Sequence, residues 1–554
     1  MTINIVMWFG RSMDQFRSRQ WLSRHAFTRF WQAHAWAGVV TALLVYIMFF
    51  LGSVVLFYRP LTIWEEPLLQ RPAVQLTSLD ETLRLAAPES EEFFLYLPSD
   101  VRPLPKLGYY LPGTTLWRMW WLDIEGQQRI PEREKAAAFI YDLHYLWHDL
   151  TGFWLQYGAG VLVFGFLLAL VTGALIHLGR FRRQLHRFRP ERERRVLWSD
   201  LHKVAGVFGL PFQLVYALTG SLMVLSPLLF QLSVQPVFGG DAARAAAAAG
   251  ALVEEPPRLD MGPASSPLSL DVLVQHAVAA EPRLRVESIV YRGHSHAGAT
   301  VDVRGPIEGQ PFGNGFVRVM ATTGQIQLIE TPDRESAVGK VARWIHGLHT
   351  VEYGGTLARW MLWVLALGGC ATLLTGNWVW LERRAAEQAS LGNRLLAKLT
   401  AGVGAGCFAA LAALLLASRM LPLDWPHRIL GEELAMAFTF ALWNVLAFCA
   451  RDTAAVWWRG IGLAGVLMSA VPVLATRSST AGLFGAGPQL ASVATVDAVL
   501  LGAGLAMLAI AFLLRRLALA RPGRFGSGGL TSAARSLSPM LVSADATLPG
   551  GRHA

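Results

Sequence analysis

The chain is poor in cysteine and poor in charge. Three cysteines occur in 554 residues, Cys370, Cys407 and Cys449. All three lie in apolar stretches, far apart in sequence. No Cys-x-x-Cys-His is present, which excludes covalent c-type haem attachment. No closely spaced thiolates exist for an iron–sulfur cluster, and the long polar segments must fold without disulfides. Charged residues make up 16% of the chain and hydrophobic residues 53%, outside the usual composition of soluble domains. No Walker motif occurs, and no Gly-x-Gly-x-x-Gly opens a helix, so a nucleotide or flavin domain has no signature here. Ionisable residues are nearly missing from the middle of the first four apolar runs, where an ion-coupled transporter needs them. Gln156, Gln213 and Asn377 are the strongest polar groups there.

What is present is a series of apolar runs of about 20 residues, the length that spans a bilayer. They fall at roughly 35–58, 153–178, 203–228, 357–380, 399–420, 433–450, 460–476 and 492–514. The expected fold is a polytopic α-helical membrane protein of about eight transmembrane helices. Arginine and lysine cluster on alternate connections. Arg11, Arg17, Arg19, Arg24 and Arg29 precede the first helix, and a basic run from Arg180 to Arg195 separates the second from the third. Arg383, Arg384, Arg394 and Lys398 follow the fourth, Arg451 and Arg459 the sixth, and Arg515, Arg516, Arg521 and Arg524 the eighth. The positive-inside rule then puts both termini in the cytoplasm. The net charge of +10 reports topology and contact with lipid headgroups rather than a nucleic-acid partner. The first run lacks a small-residue cleavage site and is longer than a signal peptide, so it stays as a helix.

Two long segments lie on the outer side of this topology. Ser78-Leu-Asp80-Glu81 opens an amphipathic helix with a capping-box spacing, and Ser269-Leu-Asp271 opens another. Strand-like runs follow each: Phe93–Leu97 and Trp117–Leu122 in the first, then Val286–Tyr291, Ala299–Val303, Phe316–Met320 and Ile326–Ile329 in the second. Helix, outer segment, helix therefore repeats as a unit. The expected division is a basic N-terminus 1–34, helix one 35–58, an outer α+β domain 59–143, helix two 144–178 and a basic loop 179–202. Helix three at 203–228, a second outer α+β domain 229–345 with a linker at 240–267, and helix four at 346–381 come next. Four more helices occupy 399–514, and a disordered tail 521–554.

One phrase occurs twice. His34-Ala-Trp-Ala-Gly38-Val and His202-Lys-Val-Ala-Gly206-Val open the first and third runs. A glycine follows each histidine at i+4, and Gly52 and Gly220 follow at i+18. At about 100° per residue these positions share nearly one helix face. An imidazole with side-chain-free ground beside it suits a flat macrocycle held by its metal. The far ends of helices two to four carry Thr172-Gly173, Thr219-Gly220 and Thr375-Gly376. Further histidines stand at the outer ends: His144 and His148 before helix two, His346 and His349 before helix four. His144 and His148 share a face, so periodicity does not choose between them, and Gly152 at i+4 from His148 copies the inner pattern. His177 closes helix two. Each unit thus supplies one inner and one outer imidazole, enough for two bis-histidine haems, one per leaflet. A lone interfacial histidine is commonly only a polar residue near headgroups, and glycines at these spacings also serve helix packing. The duplication raises His34 and His202 above that reading. His294 and His296 form a His-Ser-His in a solvated outer loop, and His427 receives no role.

These phrases together resemble the PepSY-associated transmembrane family, the group that includes iron-regulated membrane proteins and bacterial ferric-siderophore reductases. The resemblance rests on Trp31-x-x-His34-x-x-x-Gly38, Leu143-His144-Tyr145, Thr172-Gly173-x-x-x-His177, Phe188-Arg-Pro190, Trp198-Ser-Asp200-Leu-His202-x-x-x-Gly206, Leu210-Pro-Phe212, Leu348-His349 and Leu374-Thr375-Gly376. It covers about 25–385 well and the last four helices more loosely. Leu51-Gly52 replaces the usual Thr-Gly, and the outer segments match the PepSY consensus poorly. The resemblance implies a haem-b protein of the bacterial inner membrane with small PepSY-like domains in the periplasm, linked to iron uptake. His34, His144, His202 and His349 match the family's histidines, and His177 matches in some members. The function so implied is reduction of ferric siderophores by electrons from a cytoplasmic donor or the quinol pool. The rival readings are a PepSY module that restrains a periplasmic peptidase and a siderophore transporter without redox activity. The aromatic stretch Trp117–Trp121 is either a contact face for an acceptor or core packing of the first outer domain.

Overall fold

The structure, a computed structural model, describes residues 23–99, 102–114, 116–132, 135–146, 152–177, 194–248, 267–310, 312–351, 355–384, 390–475 and 488–520. His148, most of the basic loop, residues 249–266 of the expected linker and the tail 521–554 lie outside the described residues.

In chain order the elements are α1 (Arg24–Val55), α2 (Tyr58–Glu65), α3 (Leu79–Ala86), strands β1 (Glu92–Tyr96), β2 (Lys106–Tyr110), β3 (Trp117–Asp123) and β4 (Gln128–Pro131), and then α4 (Ala136–His144) and α5 (Gly152–His177). The plan repeats with α6 (Arg194–Phe238), α7 (Ala242–Ala248), α8 (Leu270–Ala280), strands β5 (Ser288–Arg292), β6 (Thr300–Pro306), β7 (Asn314–Met320) and β8 (Ile326–Glu330), α9 (Ala337–Thr350) and α10 (Gly355–Arg383). Four helices follow: α11 (Leu391–Met420), α12 (Arg428–Cys449), α13 (Thr453–Ala475) and α14 (Pro488–Ala520). Among the described residues eight helices are long and apolar enough to cross a membrane: α1, α5, α6, α10, α11, α12, α13 and α14.

The expected third helix, 203–228, is too short. At 45 residues, α6 is about 68 Å long, more than twice a hydrocarbon core of about 30 Å. Its first turns take up the end of the basic loop, and its last ten residues occupy ground assigned to the second outer domain. The alanine run inside the expected linker is helical as α7, as alanine's propensity favours.

α1 packs against α5 and α10, and α6 packs against the same two helices. The four form a ring with α1 and α6 across from each other. α11 packs on α12 and α13, and α13 on α14. The face of α11 is built from small residues, among them Gly404, Ala405, Ala409 and Ala412, all buried. Small residues let backbones approach closely where lipid gives no hydrophobic drive. The indole of Trp457 lies where a side chain on Gly404 would stand. The carbonyl of the same glycine accepts a 2.8 Å hydrogen bond from the Tyr46 hydroxyl, which ties α1 to the second bundle.

The two outer segments do not make two separate domains. Their strands form one eight-stranded antiparallel sheet, ordered β4-β3-β2-β1-β5-β6-β7-β8. The halves join through β1 and β5, with Phe94 opposite Val290. Alternate residues (Phe93 and Leu95, Leu107 and Tyr109, Ile289 and Tyr291, Val301 and Val303, Val317 and Val319) bury one face with Leu79, Leu270 and Leu273 from α3 and α8. The two helix N-termini cap each other. Asp271 accepts from the Ser78 hydroxyl and the Leu79 N–H at 2.8 and 3.0 Å. Asp80 accepts from the Leu270 N–H at 2.8 Å and from the Ser269 hydroxyl. Each Ser-Leu-Asp phrase thus completes the other, a carboxylate at an N-terminus being the favoured charge there. Sequence alone gives each half a helix and strands, but the pairing of β1 with β5 is a contact between distant segments that local pattern does not carry.

Candidate functional site

Two pairs of imidazoles meet in the helix ring. His34, ten residues into α1, faces His202 of α6 with ring centroids 6.0 Å apart and planes inclined at 57°. His144, the last residue of α4, faces His349, near the end of α9, at 6.3 Å and 28°. Each pair therefore takes one histidine from either repeat. The short helices that carry the second pair both end in left-handed turns, at Leu146 (φ 58°) and Val351 (φ 57°).

All four rings are held the same way. Nδ1 of His34 donates to the Ala169 carbonyl at 2.8 Å, Nδ1 of His144 to the Met48 carbonyl at 2.8 Å, and Nδ1 of His202 to the Thr372 carbonyl at 2.9 Å. A carbonyl only accepts, so these three nitrogens carry the proton. His349 Nδ1 lies 2.9 Å from the Thr219 hydroxyl. That hydroxyl spends its own proton on the Val215 carbonyl at 2.7 Å, so it too accepts from the ring. Every imidazole is thereby fixed in the tautomer whose Nε2 keeps its lone pair, the arrangement of a metal-binding histidine oriented through its second nitrogen.

Glycines make room for the rings. A side-chain carbon on Gly173 would stand 2.9 Å from Cε1 of His34, on Gly376 3.3 Å from Cε1 of His202, on Gly52 2.5 Å from Cε1 of His144 and on Gly220 3.2 Å from Cε1 of His349. In three cases the ring bonds the carbonyl four residues before its glycine. The sequence reading of the i+18 glycines is thus corrected. Gly52 and Gly220 do not lie under their own helix's histidine. They seat the histidines of the other pair, because α4 packs on α1 and α9 packs on α6.

Gly38 and Gly206 differ. Nothing stands within 4 Å of a side-chain carbon on Gly38, and only Thr372 Cγ2, at 3.7 Å, approaches Gly206. Both line a cavity of about 350 Å³ that also contains His34, His202 and His177. Among the described residues no three His, Cys, Asp or Glu side chains converge as a metal group. Two imidazoles alone suit a metal that brings its remaining donors with it, as a porphyrin does. Two nitrogens about 2 Å from one metal, with ring centres about 1 Å further out, give centroids roughly 6 Å apart. Both pairs have that spacing, so the residues present fit a macrocycle at each.

A family model described as the PepSY-associated TM region matches residues 31–383. The chain belongs to the PepSY-associated transmembrane family. An uncharacterized protein of Pseudomonas aeruginosa, PA4219, is 29% identical over 357 residues, covering 58% of this chain and 84% of that one. Both pairs, both glycine sets and the whole sheet of the PepSY-associated chain fall inside the matched residues.

The other sequence candidates lie elsewhere. His346 sits one turn before His349 on α9, and His349 is the one that faces His144. Gly152 begins α5 with φ 54° and open space around it. Ser295 between His294 and His296 donates to Glu91 at 2.6 Å, which anchors that loop to the edge of β1. Trp121 is buried in the core formed with Leu61, Trp64 and Ile140 and lies 4.9 Å from the Lys106 ammonium, whereas Trp120 stacks on Tyr109 at 4.5 Å on the sheet's other core, so both rings of the aromatic stretch serve packing. Sequence reasoning missed the Nδ1 acceptors and the partnering of each histidine with a glycine of the next helix. The recurring Thr-Gly phrase was the available signal.

Proposed function

We propose that the chain is a dihaem electron-transfer protein of a bacterial inner membrane, reducing ferric iron held by siderophores on the periplasmic side. The observation that carries this reading is the doubled imidazole pair, each ring held through Nδ1 and the ring centroids 6.0 and 6.3 Å apart. Haem b, when bound, supplies a reversible one-electron couple at each pair. The chain's residues do the rest. The carbonyls of Ala169, Thr372 and Met48 and the hydroxyl of Thr219 hold the ring planes and the tautomers. With haem bound, His34 and His202 would hold it at one pair and His144 and His349 at the other, and the group would supply electron transfer rather than a site for substrate atoms.

His34 and Met48, the acceptor for His144, are fourteen residues apart on α1, a rise of about 21 Å. The two pairs therefore divide most of a hydrocarbon core of about 30 Å between them. The positive-inside rule, applied to the basic clusters, supports a cytoplasmic side for the His34–His202 pair and a periplasmic side for the sheet. Electrons enter from a cytoplasmic donor or the quinol pool and leave beside the sheet. One electron converts Fe(III) to Fe(II), which hard oxygen chelators hold less tightly. The rival readings, restraint of a peptidase and transport without redox chemistry, leave the imidazole pairing without a role.

The test is to reduce the purified protein with dithionite, remove the excess, and add a ferric siderophore without oxygen. Fast reoxidation of a b-type spectrum, with Fe(II) trapped by a chelating dye, is the expected result. A protein made with ample haem that shows no Soret band rejects the electron-transfer reading. Reoxidation by a quinone but not by ferric chelates retains electron transfer and rejects iron as the acceptor.

A further inference from the structure

A chain of rings joins the two pairs, and its connections meet at Phe49 of α1. The Phe49 centroid lies 5.7 Å from that of Phe166 on α5 and 6.3 Å from that of Phe212 on α6, edge to face in both contacts, an arrangement aromatic pairs favour. Phe212 continues to Tyr216 at 4.5 Å, and Tyr216 to the ring of His349 at 5.3 Å. Phe49 also follows Met48, whose carbonyl accepts from His144 Nδ1 at 2.8 Å. One hydrogen bond and then covalent bonds therefore lead from His144 to the Phe49 ring. Toward the first pair, Phe166 is buried and lines the cavity with His34 and His202. It stands three residues before Ala169, which holds His34, as Gly369 stands three residues before Thr372, which holds His202. Gly369 makes room for Phe49: a side-chain carbon there would fall 2.7 Å from Cδ1 and Cε1 of the ring. Glycine is a poorer helix former than alanine, and here the missing side chain admits the ring. The protein thus seats one phenyl ring as it seats its four imidazoles.

We propose that electrons pass between the two pairs by way of Phe49, the ring on which the branches from His144 and from His349 converge before Phe166. This rests on the haem reading above and adds the route inside it. One electron leaves the Fe(II) held at the first pair and reduces the Fe(III) held at the second. No bond forms or breaks and no proton moves at Phe49, which is itself neither oxidised nor reduced. Its part is to fill the gap. Tunnelling falls off less steeply along bonded and close-packed atoms than across empty space, and a close-packed interior leaves little such space. A leucine at this position keeps the core apolar, but it is shorter than a phenyl ring and lengthens the steps to Phe166 and Phe212.

The experiment uses the full haem-loaded chain, reduced with dithionite, freed of the excess and mixed without oxygen with ferric EDTA in a stopped-flow spectrometer. The His34→Ala chain gives the rate at which the second pair alone meets the chelate. The His144→Ala chain gives the rate of direct reoxidation at the first pair. In the parent, a second phase faster than that direct rate is transfer between the pairs. Phe49→Leu and Gly369→Ala, which shorten or displace the ring, are expected to slow the second phase several-fold and to leave the first phase as it was. Phe49→Tyr, which keeps the ring, should retain the parent rate. Haem content by pyridine haemochrome and both midpoint potentials by redox titration should stay at parent values in all three variants. A second phase unchanged in Phe49→Leu and Gly369→Ala overturns the route and leaves the haem reading in place. So does a parent second phase no faster than the direct rate. Loss of haem or a shifted potential in Phe49→Leu also overturns it, because Phe49 then positions the haems and does not carry the electron between them. A parent chain with no b-type spectrum rejects the haem reading, and the route falls with it.

Discussion

The two histidine pairs look alike in spacing and differ in what fixes them. His34 and His202 belong to the membrane helices themselves and rest on the neighbours α5 and α10. His144 and His349 stand at the ends of short helices that come down from the sheet, and they rest on α1 and α6. Their seats are glycines in all four cases. The first pair is therefore set by packing inside the ring. The second pair is set by how the extramembrane segment docks on it. At that dock Ala137 N–H of α4 donates to Glu65 at 3.2 Å, Lys135 pairs with Glu66, and Trp64 Nε1 donates to Asp497 of α14 at 2.7 Å. The last four helices thus bear on the second pair through the dock, while they meet the helices of the first pair through α1 and α10, as in the Tyr46 hydroxyl on the Gly404 carbonyl at 2.8 Å and Trp378 against Trp457 at 5.4 Å.

The largest expected effect removes a ligand. His34→Ala or His202→Ala should abolish haem at the first pair and keep it at the second, and His144→Ala or His349→Ala should do the reverse. His346→Ala should keep both. Pyridine haemochrome assays would read about half the parent haem in each ligand variant. Loss of both haems from every variant would mean that the pairs are not independent and that the comparison above is wrong.

Seat glycines come next. Gly52→Ala should expel His144 most strongly, because the new carbon falls 2.5 Å from Cε1, and Gly173→Ala should follow at 2.9 Å. Gly220→Ala and Gly376→Ala, at 3.2 and 3.3 Å, should be milder. Overpacking of this kind costs about 1–3 kcal/mol. Gly38→Ala should change nothing, whereas Gly38→Leu and Gly206→Leu should fill the cavity and exclude haem from the first pair alone. Haem content and spectra ranked in another order would show that the glycines serve helix packing rather than the rings.

Much of this was legible beforehand, and the gaps have a common cause. Apolar length gives the eight helices, and the repeated His-x-x-Ala-Gly-Val marks His34 and His202. The Ser-Leu-Asp phrases mark both helices of the sheet layer. Each of these is local information. What was not legible is contact between segments far apart in the chain. Gly52 reads as the foot of its own helix and is in fact the seat of His144, 92 residues on. The union of two expected domains through β1 and β5 is of the same kind. β2, with Gly108 and few β-branched residues, gave no strand signal. Trp117 fills the place where a side chain on Gly108 would stand, so the missing side chain makes sense only once β3 is paired beside it.

A smaller effect concerns the one acceptor that is a side chain. Thr219→Val removes the oxygen that takes the His349 proton and leaves a buried N–H without a partner, worth about 1–3 kcal/mol. Haem at the second pair should bind roughly tenfold more weakly, and its reduction potential should move while that of the first pair stays. Thr219→Ser should restore both. A potential unchanged in Thr219→Val would mean that His349 is oriented by its helix alone.

The smallest effect is a pH slope at the dock. Glu65 is buried, and its carboxyl is pushed up to about 8, first by loss of solvent and then by the neighbouring Glu432, against the opposing influence of Lys135, the Ala137 N–H and Arg428. Its ordinary value is 4.5, so between about 4.5 and 8 the folded chain holds a proton that the unfolded chain has released. Stability from this group is then full below the lower value and is lost as pH rises through the upper one, at no more than about 1.4 kcal/mol per pH unit. Release of haem from the second pair on heating should therefore occur at lower temperature at pH 8 than at pH 5.5, and Glu65→Gln, which stays neutral, should flatten that difference. The first pair, held inside the ring, should show no such change with Glu65→Gln. If Glu65→Gln shifts both pairs equally, the dock does not act on the second pair in particular, and the distinction between a pair fixed by packing and a pair fixed by docking fails.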